Sequence, residues 1–278
     1  MTSQILMLLH FHKPFPFNHK STWLKPSYAG GREPFMYKPP EDNGNFLNVN
    51  SGQNTIDDLK HYYSSSRISE DEFLRAMGVL ASEYWLLKNT PEVDYIGCTS
   101  YRRYLSLTDD DQTVGKIIMP ATQETADKFG TPEQEQIALN YLKHSDVITN
   151  NSVIIPCTVE QQYLQSQPKY YWDLFKEAID KLYPSYREHL TWFTNSNIIH
   201  FESPYIMRRE FFIRYTDEYF RILTYIFERV KVTYPSNDGT FTEPYPWRYP
   251  NFLGERFFPF FVHVNALRMT QVPLVLLQ

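Results

Sequence analysis

The stretch DYIGCTSYRRYL, Asp94 to Leu105, decides how the rest of the chain is arranged. Tyr95, Ile96, Cys98 and Thr99 are β-formers with only Gly97 among them, and Asn89-Thr90-Pro91 punctuates the chain in front. That pattern predicts a buried central strand. So apolar a strand should not run on into Arg102-Arg103 unless it leaves the sheet there. In open α/β sheets, ligands sit in the crevice beyond the carboxyl ends of the strands. Two arginines at that edge offer forked donors suited to phosphate, and Tyr101 and Tyr104 offer ring faces for a base or sugar. A diphosphate is the guest this chemistry fits. The plainer alternative is a surface pairing of Arg102 and Arg103 with Asp109 to Asp111, just past the strand.

A chain of 278 residues can bury a substantial core, and its net charge of −5 supplies no basic face for nucleic acid. Its 21 Tyr and 20 Phe fit either a Tyr/Phe-rich core or sugar-stacking surfaces, and composition does not separate the two. Cys98 and Cys157 each lie in an apolar run, so both are expected to be reduced core residues of a cytoplasmic protein. The apolar run near the N-terminus is too short for a signal peptide or membrane span. The last residues, VPLVLLQ, are expected to form a closing strand.

Taken in order, Ile5 to Leu9 predicts a first strand that runs into His10-Phe11-His12-Lys13-Pro14. Nucleotide-binding α/β domains often open this way, which would place His12 and Lys13 at the ligand crevice. His-x-His after a strand also occurs in zinc hydrolases, but His19, His61, His144, His189, His200 and His263 show no ligand spacing. From residue 15 to residue 53, Pro, Gly, Asn and Tyr predominate and no hydrophobic period persists; a lid or acceptor loop is the reading for so long a loop. Ser69-Glu70-Asp71-Glu72 is a capping box, and Phe73, Met77, Leu80, Tyr84 and Leu87 follow as a core-facing stripe. This helix would deliver the chain into the central strand.

Beyond the arginines, Asp109 and Asp111 have the spacing to hold Mn²⁺ or Mg²⁺ against a diphosphate, although acidic triplets in turns are mostly solvated. Lys116 to Met119 predicts a strand. Thr131-Pro132 and Thr158-Val159-Glu160-Gln161 open helices. Residues 147–155 hold one or two short strands. Two helical segments follow, broken at Pro184. Residues 198–207 return to strand composition, and residues 209–230 form an amphipathic helix striped by Phe212, Tyr215, Tyr219, Ile222 and Ile226. The alternation predicts a single α/β domain with a mainly parallel sheet flanked by helices. Near the end, Glu255 and Arg256 stand inside the apolar run from Tyr249 to Phe258, where charges are costly unless they are paired or lie at a site.

In this order the segments resemble the domain of unknown function 4422 family, glycosyltransferase-like proteins of capsular and exopolysaccharide gene clusters. The pieces that carry the resemblance are His12-Lys13-Pro14 after the first strand, Tyr84-Trp85 through Lys88-Asn89, and Asp94 to Gly97 with Tyr101 to Tyr104. Val159 to Tyr163, Pro204 to Met207 with Glu210-Phe211, and Phe252-Leu253 with Glu255-Arg256 complete the set. The chain departs from the family at Ser100, where relatives carry histidine, and at Val79, where they carry glutamate.

The resemblance implies a GT-A-like fold and transfer of a sugar from a nucleoside diphosphate donor to a hydroxyl of a growing glycan. By analogy with that fold the donor is a UDP-sugar. Many such enzymes hold a metal on the diphosphate through Asp-x-Asp after a central strand, the place taken here by Ser100-Tyr101-Arg102-Arg103. A metal-independent mechanism is therefore expected, with the arginines neutralising the leaving group. His12, Lys13, Tyr101 and Tyr104 would complete the donor site. Glu255, with Arg256 beside it, is the catalytic candidate, as base toward the acceptor or as a hydrogen-bond acceptor from the sugar. The competing readings are a non-catalytic carbohydrate-binding protein and a metal hydrolase built on His10 and His12.

Overall fold

The computed structural model describes residues 3–11, 17, 21–28, 47–48, 77–108, 115–201, 204–230 and 248–278. Its centre is a seven-stranded sheet. The strands are β1 (Ile5–Phe11), β2 (Leu24–Tyr28), β3 (Leu47–Asn48), β4 (Tyr95–Ser100), β7 (Val147–Asn150), β10 (Tyr205–Arg208) and β11 (Met269–Val272). Their spatial order is β11-β7-β10-β4-β1-β2-β3. All point one way except β10, which pairs antiparallel with both β4 and β7. The chain leaves the sheet after β7 and comes back to it only at β10. Between them lie a two-stranded ribbon of β8 (Val153–Ile154) and β9 (Ile198–Ile199) and the helices that separate its two strands. The run expected as one strand over 198–207 is thus two strands in two sheets.

Both faces of the central sheet are covered, as the unbroken apolar character of β1 and β4 requires. Leu8, Ile96, Cys98, Tyr205, Met207 and Val147 point into one core. That core is shared with α1 (Val79–Asn89), α4 (Val159–Leu164), α5 (Lys169–Leu182), α6 (Arg187–Asn195), α7 (Arg209–Phe227) and α8 (Tyr249–Val264). Ile5, Met7, Leu9, Ile148 and Ile206 point into the other. It is closed by α2 (Gln123–Asp127), α3 (Pro132–Leu142) and a second sheet of β5 (Arg103–Leu105), β12 (Leu274–Leu277) and β6 (Lys116–Met119). The apolar C-terminal stretch is therefore a closing strand, between β5 and β6.

The predicted helix starts hold: the Thr131 and Thr158 hydroxyls accept from the N–H groups of Gln134 and Gln161, and Thr158 with Gln161 forms a full capping box. The stripe of α7 is buried as expected. The proposed cap at Ser69 to Glu72 lies outside the described residues. Cys98 is buried, but Cys157 is only half-buried in the loop before α4; both thiols are free. Gly97 has a steric reason: a Cβ there would stand 2.4 Å from the carbonyl oxygen of Tyr205 on β10. Among the described residues no helix is long and apolar enough to cross a membrane.

Candidate functional site

The order of strands marks where a candidate crevice lies. From β1 the chain moves outward through β2 and β3, then returns to lay β4 on the other flank of β1. Such a reversal leaves an opening above the carboxyl ends of the two adjacent parallel strands, where α/β folds bind ligands. Phe11 ends β1 and Ser100 ends β4, with His10 opposite Ser100 in the register.

Tyr101 and Arg102 form the turn that leaves β4 at this edge. The turn is fastened from several sides. The Tyr101 N–H donates to the His10 carbonyl at 3.0 Å, tying it to β1. The Thr99 hydroxyl donates to the Arg103 carbonyl at 3.0 Å, and the Leu277 N–H of β12 donates to the Arg102 carbonyl at 2.9 Å. The backbone is thereby fixed while the Arg102 side chain stays exposed, its guanidinium 5.2 Å from the centre of the Tyr101 ring. Arg102 forms no ion pair with any described carboxylate.

The two arginines are not equivalent. Arg103 opens β5 and folds back, its Nη1 donating to the Ser100 hydroxyl at 3.0 Å. Tyr104 is 2% exposed and stacks on Phe129 with ring centres 4.5 Å apart; its hydroxyl donates to the Tyr101 carbonyl. Burial pushes the Tyr104 phenol well above its ordinary range. Its place is the second core, where it props the turn from beneath. His12, Lys13, Asp109 and Asp111 lie outside the described residues. Among the described residues no group of three or more His, Cys, Asp or Glu side chains converges to hold a metal ion.

The second charged element is on α8. This helix runs from the carboxyl edge toward the opposite edge, because its end leads into β11, which starts beside Val147. Phe258 stacks on Tyr205 near the start of β10. Glu255 stands one turn earlier on the same face, hence farther toward the carboxyl ends. Its side chain is about one-third exposed, and Oε2 accepts from Arg256 Nη1 at 2.8 Å. Pro259 offers no N–H to the Glu255 carbonyl, so the helix is locally weakened there.

Arg256 itself is 1% exposed. Nη1 also donates to the Phe252 carbonyl at 2.9 Å, Nη2 donates to Gln162 of α4, and the guanidinium lies beside the Tyr163 and Phe252 rings. Loss of solvent lowers its pKa. This arginine is enclosed by protein groups, and its Nε is buried without a hydrogen-bond partner. Among the described residues no direct hydrogen bond or ion pair joins the Glu255–Arg256 pair to the Tyr101–Arg103 turn.

Beneath the crevice lies a polar layer that sequence reasoning passed over. On α1, Ser82 meets His10 Nδ1 at 3.3 Å and the Ser27 hydroxyl at 2.9 Å. Its neighbour Glu83 accepts from the Tyr205 hydroxyl at 2.7 Å. One helix thus grips the carboxyl-edge ends of β1, β2 and β10. The available signal was a carboxylate between Leu80 and Leu87, on the face that had to be buried. His10, assigned to a metal in the hydrolase reading, is a buried part of this layer.

The sequence profile described as Domain of unknown function (DUF4422) matches residues 75–266. No curated protein matches the chain. Among solved structures, the apo structure of WbbM, a bifunctional glycosyltransferase, superposes with a TM-score of 0.65 at 17% identity. The match covers 99% of this chain and 45% of the WbbM chain, so this chain spans less than half of that protein's length.

Proposed function

The chain belongs to the DUF4422 family, and from that premise we propose that it is a glycosyltransferase that moves a sugar from a nucleoside diphosphate donor, a UDP-sugar, to a hydroxyl of a growing glycan. One observation carries the reading: a backbone turn clamped to β1, β4 and β12 presents Arg102, exposed and without a described acidic partner, at the carboxyl edge where the strand order reverses. The fold shared with a bifunctional glycosyltransferase accords with it.

In this reading the bond from the anomeric carbon to the diphosphate oxygen breaks as the acceptor oxygen bonds to that carbon. Negative charge gathers on the leaving diphosphate. Arg102 meets it directly, and Arg103 supports it through Ser100. Cations already aimed at developing charge need no reorganisation and act strongly where water is excluded. His12 and Lys13, which follow β1, complete the phosphate side, and Tyr101 offers a ring to the base or sugar. Tyr104 has no direct part. Glu255 takes the proton of the acceptor hydroxyl, and Arg256 serves as its positioning residue. Asp109 and Asp111 are the places for Mn²⁺ or Mg²⁺ should a metal share the diphosphate; the reading here is metal-independent. Two free thiols suit a cytoplasmic protein.

Thermal-shift measurements with UDP-, GDP- and TDP-sugars, in EDTA and in Mn²⁺, test the proposal. A ligand of the native fold raises the melting temperature. The expected result is a shift with a UDP-sugar that persists in EDTA. A shift only with free glycans would favour the carbohydrate-binding reading instead, and a shift only with Mn²⁺ would move the diphosphate contact to Asp109 and Asp111.

A further inference from the structure

The polar layer under the crevice contains a group the proposed reaction does not use. Glu83 is 2% exposed; Oε1 accepts from the Tyr205 hydroxyl, while Oε2 is buried with no hydrogen-bond partner. The titratable groups that face it are Tyr205 from β10, Cys98 from β4, and Tyr215 and Tyr219 from α7. On β1, His10 is held by the adjacent Ser82. Burial pushes the phenols and the thiol upward and keeps them neutral, and in neither state can they supply the positive charge that would offset an ionised carboxylate. An anionic oxygen without a partner in such surroundings is costly, and a neutral carboxyl much less so.

We propose that Glu83 is a positioning residue: its neutral carboxyl group holds the start of β10, while Ser82 beside it holds the ends of β1 and β2, and loss of the Glu83 proton loosens this floor and slows the reaction above it. Burial pushes the carboxyl up to about 7 from an ordinary 4.5, opposed in part by the Tyr205 hydrogen bond. The sign follows from linkage. The folded state binds this proton more tightly than the unfolded one, so stability falls as pH rises from about 4.5 to about 7 and stays low above that.

The part played in turnover rests on the transferase reading; the part played in the floor does not. The experiment therefore has two arms, run between pH 5.5 and 8.5 on the full chain. The first follows amide hydrogen exchange in residues 97–101 and 204–207 for the native protein, Glu83→Gln and Tyr205→Phe. Native protection should fall through a midpoint near neutrality. Glu83→Gln, neutral at every pH, should abolish that midpoint, and Tyr205→Phe, which removes the donor favouring the ionised form, should move it to higher pH. The second arm follows kcat, which should fall roughly tenfold per pH unit above the same midpoint in the native protein and not in Glu83→Gln.

A pH dependence of exchange shared by native protein and Glu83→Gln overturns the proposal. So does a flattened exchange profile with an unchanged kcat profile, which would make Glu83 structural only. Absence of transfer with every donor tested would overturn the transferase reading, while the exchange arm would still decide the role of Glu83 in the floor.

Discussion

Arg102 and Arg256 each stand in a motif of adjacent charged or aromatic residues, yet the fold treats them in opposite ways. Around Arg102 the protein spends its hydrogen bonds on the backbone, from His10, Thr99 and Leu277, and leaves the guanidinium exposed. Around Arg256 it spends them on the side chain, from Phe252, Glu255 and Gln162, and removes the guanidinium from water. A clamped backbone with an exposed cation leaves that cation open to a partner from outside, the role proposed for Arg102. A cation held from within through Nη1 and Nη2, with Nε buried and unpartnered, is arranged to hold something else in place, here the Glu255 carboxylate.

The contrast breaks most visibly at the buried site. Arg256→Ala strands Glu255 and Gln162 and opens a cavity, so it should destabilise the protein by roughly 3–5 kcal/mol. Urea unfolding measures this. A loss below about 1 kcal/mol would remove the assignment of Arg256 as an internal fastener. Next comes Glu255→Gln, which keeps an acceptor for Arg256 and loses only the basic oxygen. Turnover should fall roughly 10²-fold or more while donor affinity changes little, and the melting temperature should drop because the buried Arg256 loses its counter-charge. Normal turnover in that variant would dismiss the base assignment.

A remote group of three charged residues supplies the smallest effect and a control for both sites. At the opposite edge of the sheet, Asp146 joins Arg208 of β10 to Arg268 ahead of β11, at 3.1 and 3.0 Å. These hydrogen bonds, that from Arg268 foremost, hold its carboxyl at about 2, below the ordinary 3.8. The depressed value means the stability from these two ion pairs is complete above about pH 4 and lost as pH falls toward 2. Arg268 is largely exposed and screened, so Asp146→Asn should cost only about 1 kcal/mol at neutral pH, without changing donor affinity. Chemical denaturation at pH 7 and pH 3 checks both the size and the sign.

What the sequence revealed follows the range of the forces involved. Helix starts at Thr131 and Thr158 were legible because a cap is a contact within four residues. Strand β4 and its exit at Arg102 were legible because an apolar run cannot carry two arginines into a core. Residue type alone could not tell Arg102 from Arg103, since the difference lies in whether the chain re-enters a sheet at Arg103, and β12 comes from the far end of the chain to make that sheet. Tyr104 looked like a ligand face for the same reason. Arg256 announced itself as costly, but only the arrival of Gln162 from α4 shows how the cost is met. Glu83 was hidden inside an otherwise regular stripe, its meaning supplied by Tyr205, which follows more than a hundred residues later.

The central claim is that the exposed arginine of the β4 turn, and no metal, carries the diphosphate. Calorimetric titration of UDP in EDTA against the native protein and Arg102→Ala tests it most directly. The account predicts that the native protein binds in EDTA and that Arg102→Ala loses affinity by roughly 10²-fold or more, with a melting temperature unchanged to within the effect of about 0.5 kcal/mol. Equal binding by the two proteins, or binding by the native protein only after Mn²⁺ is restored, would contradict it.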